Sequence, residues 1–250
     1  MKHILIIIAI FFACNSAFYA QSNEIKQANA LYADGNFTDA ALAYEAIIDS
    51  FGVAPQIYLN LGNAYYKSNE TALAILNYER ALKLNSHYEA AKINLSLAQQ
   101  KVIDNVAQIP TFFLRRWVQN FVQIFESNEW FFISITAFAL CIAAILFFIF
   151  GYSKDARKLS FYLAITLFIV VVSSATFSIV QKNALLNHNS AIVLEGTIIV
   201  KSSPDRSGTD LFQLHEGTKV VIRSTLDEWV EIAAGSSNVG WVERSAVEAI

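Results

Sequence analysis

The chain has 250 residues, of which 55% are hydrophobic and 16% charged, with a net charge of −3. So apolar a composition disfavours a wholly soluble protein. Residues 21–109 and 181–250 each carry 6 basic and 9 acidic side chains, so neither offers the basic surface that nucleic acid or anionic lipid demands.

At the N-terminus, Lys2 and His3 precede the apolar run Ile4–Ala13. Ten residues are too few to span a bilayer but suit the core of a signal peptide. Residues 1–20 are therefore expected to be a signal peptide cleaved after Ala20, although Phe18 is large for its position. The alternative is a lipoprotein signal with Cys14 acylated. Cys141 lies in a long apolar run, so the two cysteines are not expected to pair.

Residues 21–109 contain a 34-residue period. Ala28 maps to Gly62, Leu31 to Tyr65, Ala40 to Ala74, Tyr44 to Tyr78 and Glu45 to Glu79. The second copy holds Tyr58, Leu61, Gly62, Tyr65, Ala74, Tyr78 and Ala81, with Ser86 where a closing proline would stand. This pattern resembles the tetratricopeptide repeat, a pair of antiparallel helices. Small residues let the two helices approach, and the tyrosines fill the gap between them. Gly35 supplies the turn within the first copy. Ser86–Val106 is expected to be one further capping helix, with Ser86 and Glu89 forming a capping box.

Two further matches fall outside the packing pattern: Asn29 with Asn63, and Tyr32 with Tyr66. In this architecture the first helix of each repeat lines a concave, protein-binding surface. Asn29, Tyr32, Asn63 and Tyr66, with Lys67 adding charge, are the candidate partner-binding residues. Packing of the tyrosines between repeats is the alternative. On the binding reading, Asn29 and Asn63 face solvent and their truncation leaves the fold nearly intact.

Residues 110–129 read as an amphipathic interfacial helix. Arg115, Arg116, Gln119, Asn120 and Gln123 form one stripe, and Phe113, Leu114, Trp117, Val118, Phe121, Val122 and Phe125 the other. Packing onto the repeats is the alternative. Glu126–Glu129 can cap the next helix, and Trp130 is expected at the membrane–water interface.

Trp130–Phe150 and Phe161–Val180 contain no charged residue. Each is long enough to cross a hydrocarbon core of about 30 Å. The spacer 151–160 carries Lys154, Arg157 and Lys158 against Asp155. Basic residues beside spans stay cytoplasmic, so residues 130–180 are expected to be a hairpin whose turn lies inside. Both flanks are then expected on the outer face of the membrane.

Beyond the hairpin, β-branched runs alternate with turn residues: Ala191–Leu194, Gly196–Val200, Lys219–Arg223, Trp229–Ile232 and Val239–Val242. Five short strands predict a small barrel over 187–250. Val200–Pro204, Leu214–Thr218, Trp229–Ile232 and Gly240-Trp241-Val242, in that order, resemble bacterial SH3 domains. A proline-rich ligand is not expected, because the aromatic cluster that would grip it is missing. No catalytic constellation emerges. The four histidines fall in separate segments, and no nucleophile motif or phosphate loop is present. The chain reads as a non-enzyme without cofactors.

The sequence thus predicts a multi-domain membrane protein: an α-helical solenoid, a transmembrane hairpin and an all-β SH3-like barrel. This order resembles the BatE-type family of the Bacteroides aerotolerance operon. The resemblance implies a membrane assembly with von Willebrand A-domain proteins and a MoxR-type ATPase, linked to oxidative-stress tolerance or envelope integrity. The expected role is an inner-membrane scaffold. The alternative is a cell-wall sensor that contacts peptidoglycan through the SH3-like domain.

Overall fold

A 34-residue period requires two helices and two turns, and the chain builds them. The computed structural model describes residues 22–104, 113–187, 189–235 and 238–250, with the side chains of 114–116 and 119 set aside. The expected signal segment, with Cys14, lies outside the described residues, and so does the Ile109-Pro110 junction. Helix α1 covers residues 22–33. It is followed by α2 (Phe37–Phe51), α3 (Pro55–Lys67), α4 (Thr71–Leu84) and α5 (Glu89–Gln99). The turns repeat with the helices. Gly35 takes φ 82° between α1 and α2, and Asn69, one period later, takes φ 69° between α3 and α4. Asparagine is among the few side chains that tolerate this left-handed region.

The tyrosines fill the interhelical gaps as expected, and Tyr44 and Tyr78 are each only 1% exposed. Gly62 is the point of closest approach. A Cβ there would stand 2.7 Å from two carbons of the Tyr78 ring. The ring is buried within the core of the repeats. Gly62→Ala is therefore expected to cost about 1–3 kcal/mol through overpacking, read as an earlier thermal transition by circular dichroism.

The capping helix differs from expectation. It spans only Glu89–Gln99, and its N-cap is Tyr88, with no side-chain cap. Instead Asn85 Oδ1 accepts the His87 backbone N–H at 3.0 Å, closing the turn before the helix begins.

The C-terminal strands belong to the same structural unit as the helical repeats. They are β1 (Ser190–Val193), β2 (Thr197–Lys201), β3 (Asp210–His215), β4 (Lys219–Leu226), β5 (Trp229–Ala234), β6 (Asn238–Glu243) and β7 (Val247–Ala249). All pairings are antiparallel, in the order β3-β2-β6-β5-β4-β1-β7. The expected five-stranded closed barrel is therefore replaced by a seven-stranded open sheet. Two strands escaped the sequence reading for physical reasons. Asp210–His215 lies between strong turn signals, and Val247–Ala249 is too short to show a period.

The β7 edge is not left bare. Arg80 on α4 pairs with Glu248 at 2.6 Å and donates to the Ala249 carbonyl at 3.0 Å. Lys83 donates to the Ile250 carbonyl at 2.8 Å. A sheet edge satisfied by side chains of a neighbouring helix gains little from closing on itself. Ile192 and Ile250 join Ile75, Leu76 and Leu95 in one apolar core, with Val102 and Leu194 at its margin. Gly217, at φ 80°, brings its turn against Val102 and Ile75. Lys219 pairs with Glu79 at 2.7 Å.

Asp104 fastens the same junction. It accepts the His215 backbone N–H at 2.6 Å and the Thr218 hydroxyl at 2.8 Å. Its other oxygen lies 2.8 Å from His215 Nδ1. Burial alone would raise the Asp104 pKa. The hydrogen bonds from His215 and Thr218 outweigh it and hold the carboxyl below the usual carboxylate range.

The second unit contains α6 (Phe113–Val122), α7 (Ser127–Phe150) and α8 (Lys154–Leu186). Helices α7 and α8 are long and apolar enough to cross a membrane. Small residues form their seam: Ser134, Ala137, Cys141 and Ala144 on α7, with Ser160 and Ser174 on α8. Such residues let two backbones approach where no water drives them together. Ser134 donates to the Val171 carbonyl, and Ser127 and Ser178 donate to each other's carbonyls.

The expected turn at 151–160 shrinks to Gly151–Ser153, because Lys154, Arg157 and Lys158 already lie in α8. Arg157 donates to the Phe148 carbonyl at 3.1 Å, capping the end of α7. At the other end, the expected cap of α7 takes the form of a capping box between Glu126 and Glu129. Trp130 stands in the first turn of α7 and packs against its own unit. It is 7% exposed, its ring packs against Phe121, Phe125 and Phe177, and its indole N–H donates to the Val122 carbonyl at 2.8 Å.

Candidate partner-binding groove

Successive helical pairs repeat at a fixed period, and Asn29 and Asn63, one period apart, take equivalent surroundings. Asn29 Oδ1 accepts the Tyr44 hydroxyl at 2.6 Å and the Asn60 amide at 3.4 Å. Asn63 Oδ1 accepts the Tyr78 hydroxyl at 2.9 Å and the Asn94 amide at 2.7 Å. The two triads are the same construction. Tyr44 and Tyr78 match, and so do Asn60 and Asn94. Each asparagine oxygen is thus engaged by two donors, which fixes the orientation of its amide. Among the described residues, Nδ2 of Asn29 and of Asn63 finds no hydrogen-bond partner.

These groups border a hollow of about 150 Å³ lined by Asn29, Tyr32, Tyr44, Asn60 and Asn63. Tyr32 is half-buried and meets Phe37 edge-on at 5.2 Å. Burial raises the Tyr32 pKa. Burial also raises that of Tyr44, with the neighbouring Tyr32 adding to the effect and the Asn60 hydrogen bond opposing it. For Tyr78 burial is again the first cause, followed by Tyr32 and Tyr66. All these phenols therefore remain neutral donors at physiological pH.

The structure brings together three of the five candidate residues: Asn29, Tyr32 and Asn63. Tyr66 is half-buried elsewhere, with the Lys101 ammonium 4.2 Å from its ring centroid. Lys67 is exposed in the last turn of α3, where a cation favours the helix terminus. Neither lines the hollow. The residues missed at the sequence level are Tyr44, Asn60 and Asn94. The match of Asn60 with Asn94 at the repeat interval was the available signal.

The hollow offers neutral hydrogen-bonding groups and aromatic area. Among the described residues, no group of three or more His, Cys, Asp or Glu side chains is placed to hold a metal ion.

Residues 25–89 and 59–99 match a tetratricopeptide repeat family model, the two matches beginning one period apart. No curated protein matches the chain. Residues 25–99 are thus a tetratricopeptide-like region, a class of scaffold for protein–protein interaction.

Proposed function

We propose that this protein is a membrane-anchored adaptor whose helical groove takes an extended segment of a partner protein. The observation that carries this reading is the pair of equivalent Tyr–Asn–Asn triads. Each holds an asparagine so that its amide donors remain available beside the hollow. A peptide backbone presents carbonyl acceptors at regular intervals, and two fixed amides on successive repeats suit it.

Repeats and sheet come from opposite sides of the hairpin in sequence yet share one unit. That supports an even number of crossings, with both on one side of the membrane. The basic residues Lys154, Arg157 and Lys158 support a cytoplasmic position for the turn and an outward one for the adaptor unit. The sheet, whose motif order resembles bacterial SH3 domains, serves in this reading as the support docked on the repeats. The partners proposed are von Willebrand A-domain membrane proteins working with a MoxR-type ATPase, in an aerotolerance or envelope-stress assembly.

Asn29→Asp combined with Asn63→Asp provides the test. Aspartate keeps an oxygen for each tyrosine hydroxyl and replaces the free amide donor with an acceptor. The variant is expected to melt close to the parent. Crosslinked recovery of von Willebrand A-domain partners from native membranes is expected to fall about fivefold or more, the loss of about 1 kcal/mol typical of a groove anchor. Full recovery by the folded variant would exclude the groove as the binding surface.

A further inference from the structure

Helix α6 has an apolar arc that the rest of its unit leaves uncovered. Val122 is buried, but Trp117 is 68% exposed, and Val118 and Phe121 are also exposed. The helix is nevertheless fixed in place. Its last carbonyl, that of Val122, accepts both the Trp130 indole N–H at 2.8 Å and the Gln181 amide at 2.6 Å. The same Gln181 amide donates to the Phe125 carbonyl at 2.9 Å. One residue from each long helix therefore grips the end of α6, and the Glu126–Glu129 capping box stiffens the joint.

The exposed rings do not stand alone. Trp117 stacks on Phe121 at 6.4 Å, Phe121 meets Phe177 at 6.0 Å and Trp130 at 6.1 Å, and Trp130 meets Phe177 at 5.1 Å. The aromatic edge of α6 thus runs without a break into the base of the hairpin. The hairpin exterior continues it with exposed Phe131, Phe132, Ile135, Ile179 and Val180. This is the end of the hairpin opposite the basic turn.

We propose that α6 is a lipid-interface anchor, held by the Trp130–Gln181 grip so that Trp117, Val118 and Phe121 enter the headgroup–acyl boundary of the outer leaflet. The occupant is the bilayer because the apolar arc is continuous with the surface that the hairpin turns outward. A helix of this kind buries its apolar face about 5–10 Å into that boundary. The grip sets how deeply the hairpin sits, since α6 cannot enter the hydrocarbon core with its polar stripe or leave the surface without exposing its rings. The proposal rests on the hairpin spanning the membrane.

The test uses the full chain reconstituted in phosphatidylcholine vesicles and isolated by flotation. Emission of the parent minus that of Trp117→Phe gives the Trp117 contribution. Lipids brominated near the headgroup end of the acyl chain are expected to quench it several-fold more than lipids brominated near the methyl end. Aqueous iodide is expected to quench it weakly. Floated protein whose Trp117 is quenched freely by iodide would place α6 in water and overturn the proposal. Trp117 shielded from iodide and from both lipids would mean that a protein surface, a second copy included, covers the helix, and would also overturn it. Failure to float would overturn the hairpin reading and this inference together.

Discussion

Replacing Asn29 and Asn63 together by alanine is expected to destabilise the helical repeats by about 1–3 kcal/mol per site, the cost of leaving a buried polar group unpaired. The sequence suggested a nearly neutral change at solvent-facing positions, and Asn29 is exposed while Asn63 is half-buried. The difference lies in what the amide oxygens touch. The Tyr44 and Tyr78 hydroxyls belong to side chains that are 1% exposed, and each donates to one of these oxygens. Truncating asparagine removes the acceptor and strands the hydroxyl. Adding Tyr44→Phe and Tyr78→Phe to the alanine variant removes the stranded groups as well. Most of the lost stability is then expected to return, because deleting both partners of a buried hydrogen bond is nearly neutral. Thermal unfolding of the three proteins decides the matter. A double alanine variant that melts with the parent would mean the triads contribute nothing to the fold.

The second large effect is expected at Asp104. Asp104→Ala removes the acceptor for the His215 backbone N–H and the Thr218 hydroxyl, and the partner of the His215 ring. The cost is expected to be about 3 kcal/mol, the range for losing one side of a shielded, hydrogen-bonded charge. Hydrogen exchange at β3 and β4 should accelerate about 100-fold, since about 1.4 kcal/mol corresponds to tenfold. An unchanged rate would mean that the apolar contacts of Ile75, Val102 and Gly217 hold the junction by themselves.

The pH dependence carries a definite sign. Asp104 has its pKa lowered in the fold, so its contribution is fully present above the ordinary aspartate value of about 3.9. It is lost as pH falls through the still lower folded value. Protection of the sheet should therefore hold at pH 5 and weaken below about pH 4 in the parent. In Asp104→Ala that acid-dependent loss should be smaller.

Much of the architecture was legible because it depends on periods. Identical neighbours 34 residues apart announced the helical pairs, and long charge-free runs announced α7 and α8. What escaped was what depends on closure in space. Nothing in Arg80 or Lys83 marks them as partners of a strand edge more than 160 residues onward. The surroundings of Trp130 were hidden for a related reason. Indole is common at membrane surfaces, but nothing in the sequence announces that the Val122 carbonyl stands within its reach or that Phe121, Phe125 and Phe177 enclose the ring. At the groove, the Asn29/Asn63 match was visible in sequence. Its double role, fixing a buried hydroxyl with one atom and leaving a donor on the other, needed coordinates.

The shared unit of repeats and sheet has a consequence for biosynthesis. Residues 22–104 leave the ribosome first, and the strands that complete their core follow only after α7 and α8 have been made. Until then the nascent helices present Ile75, Leu76 and Val102 without Ile192 and Ile250 to cover them. The interval is long enough for an unprotected apolar surface to find wrong partners. A chain truncated within the middle segment would carry its repeats without the strands that complete their core.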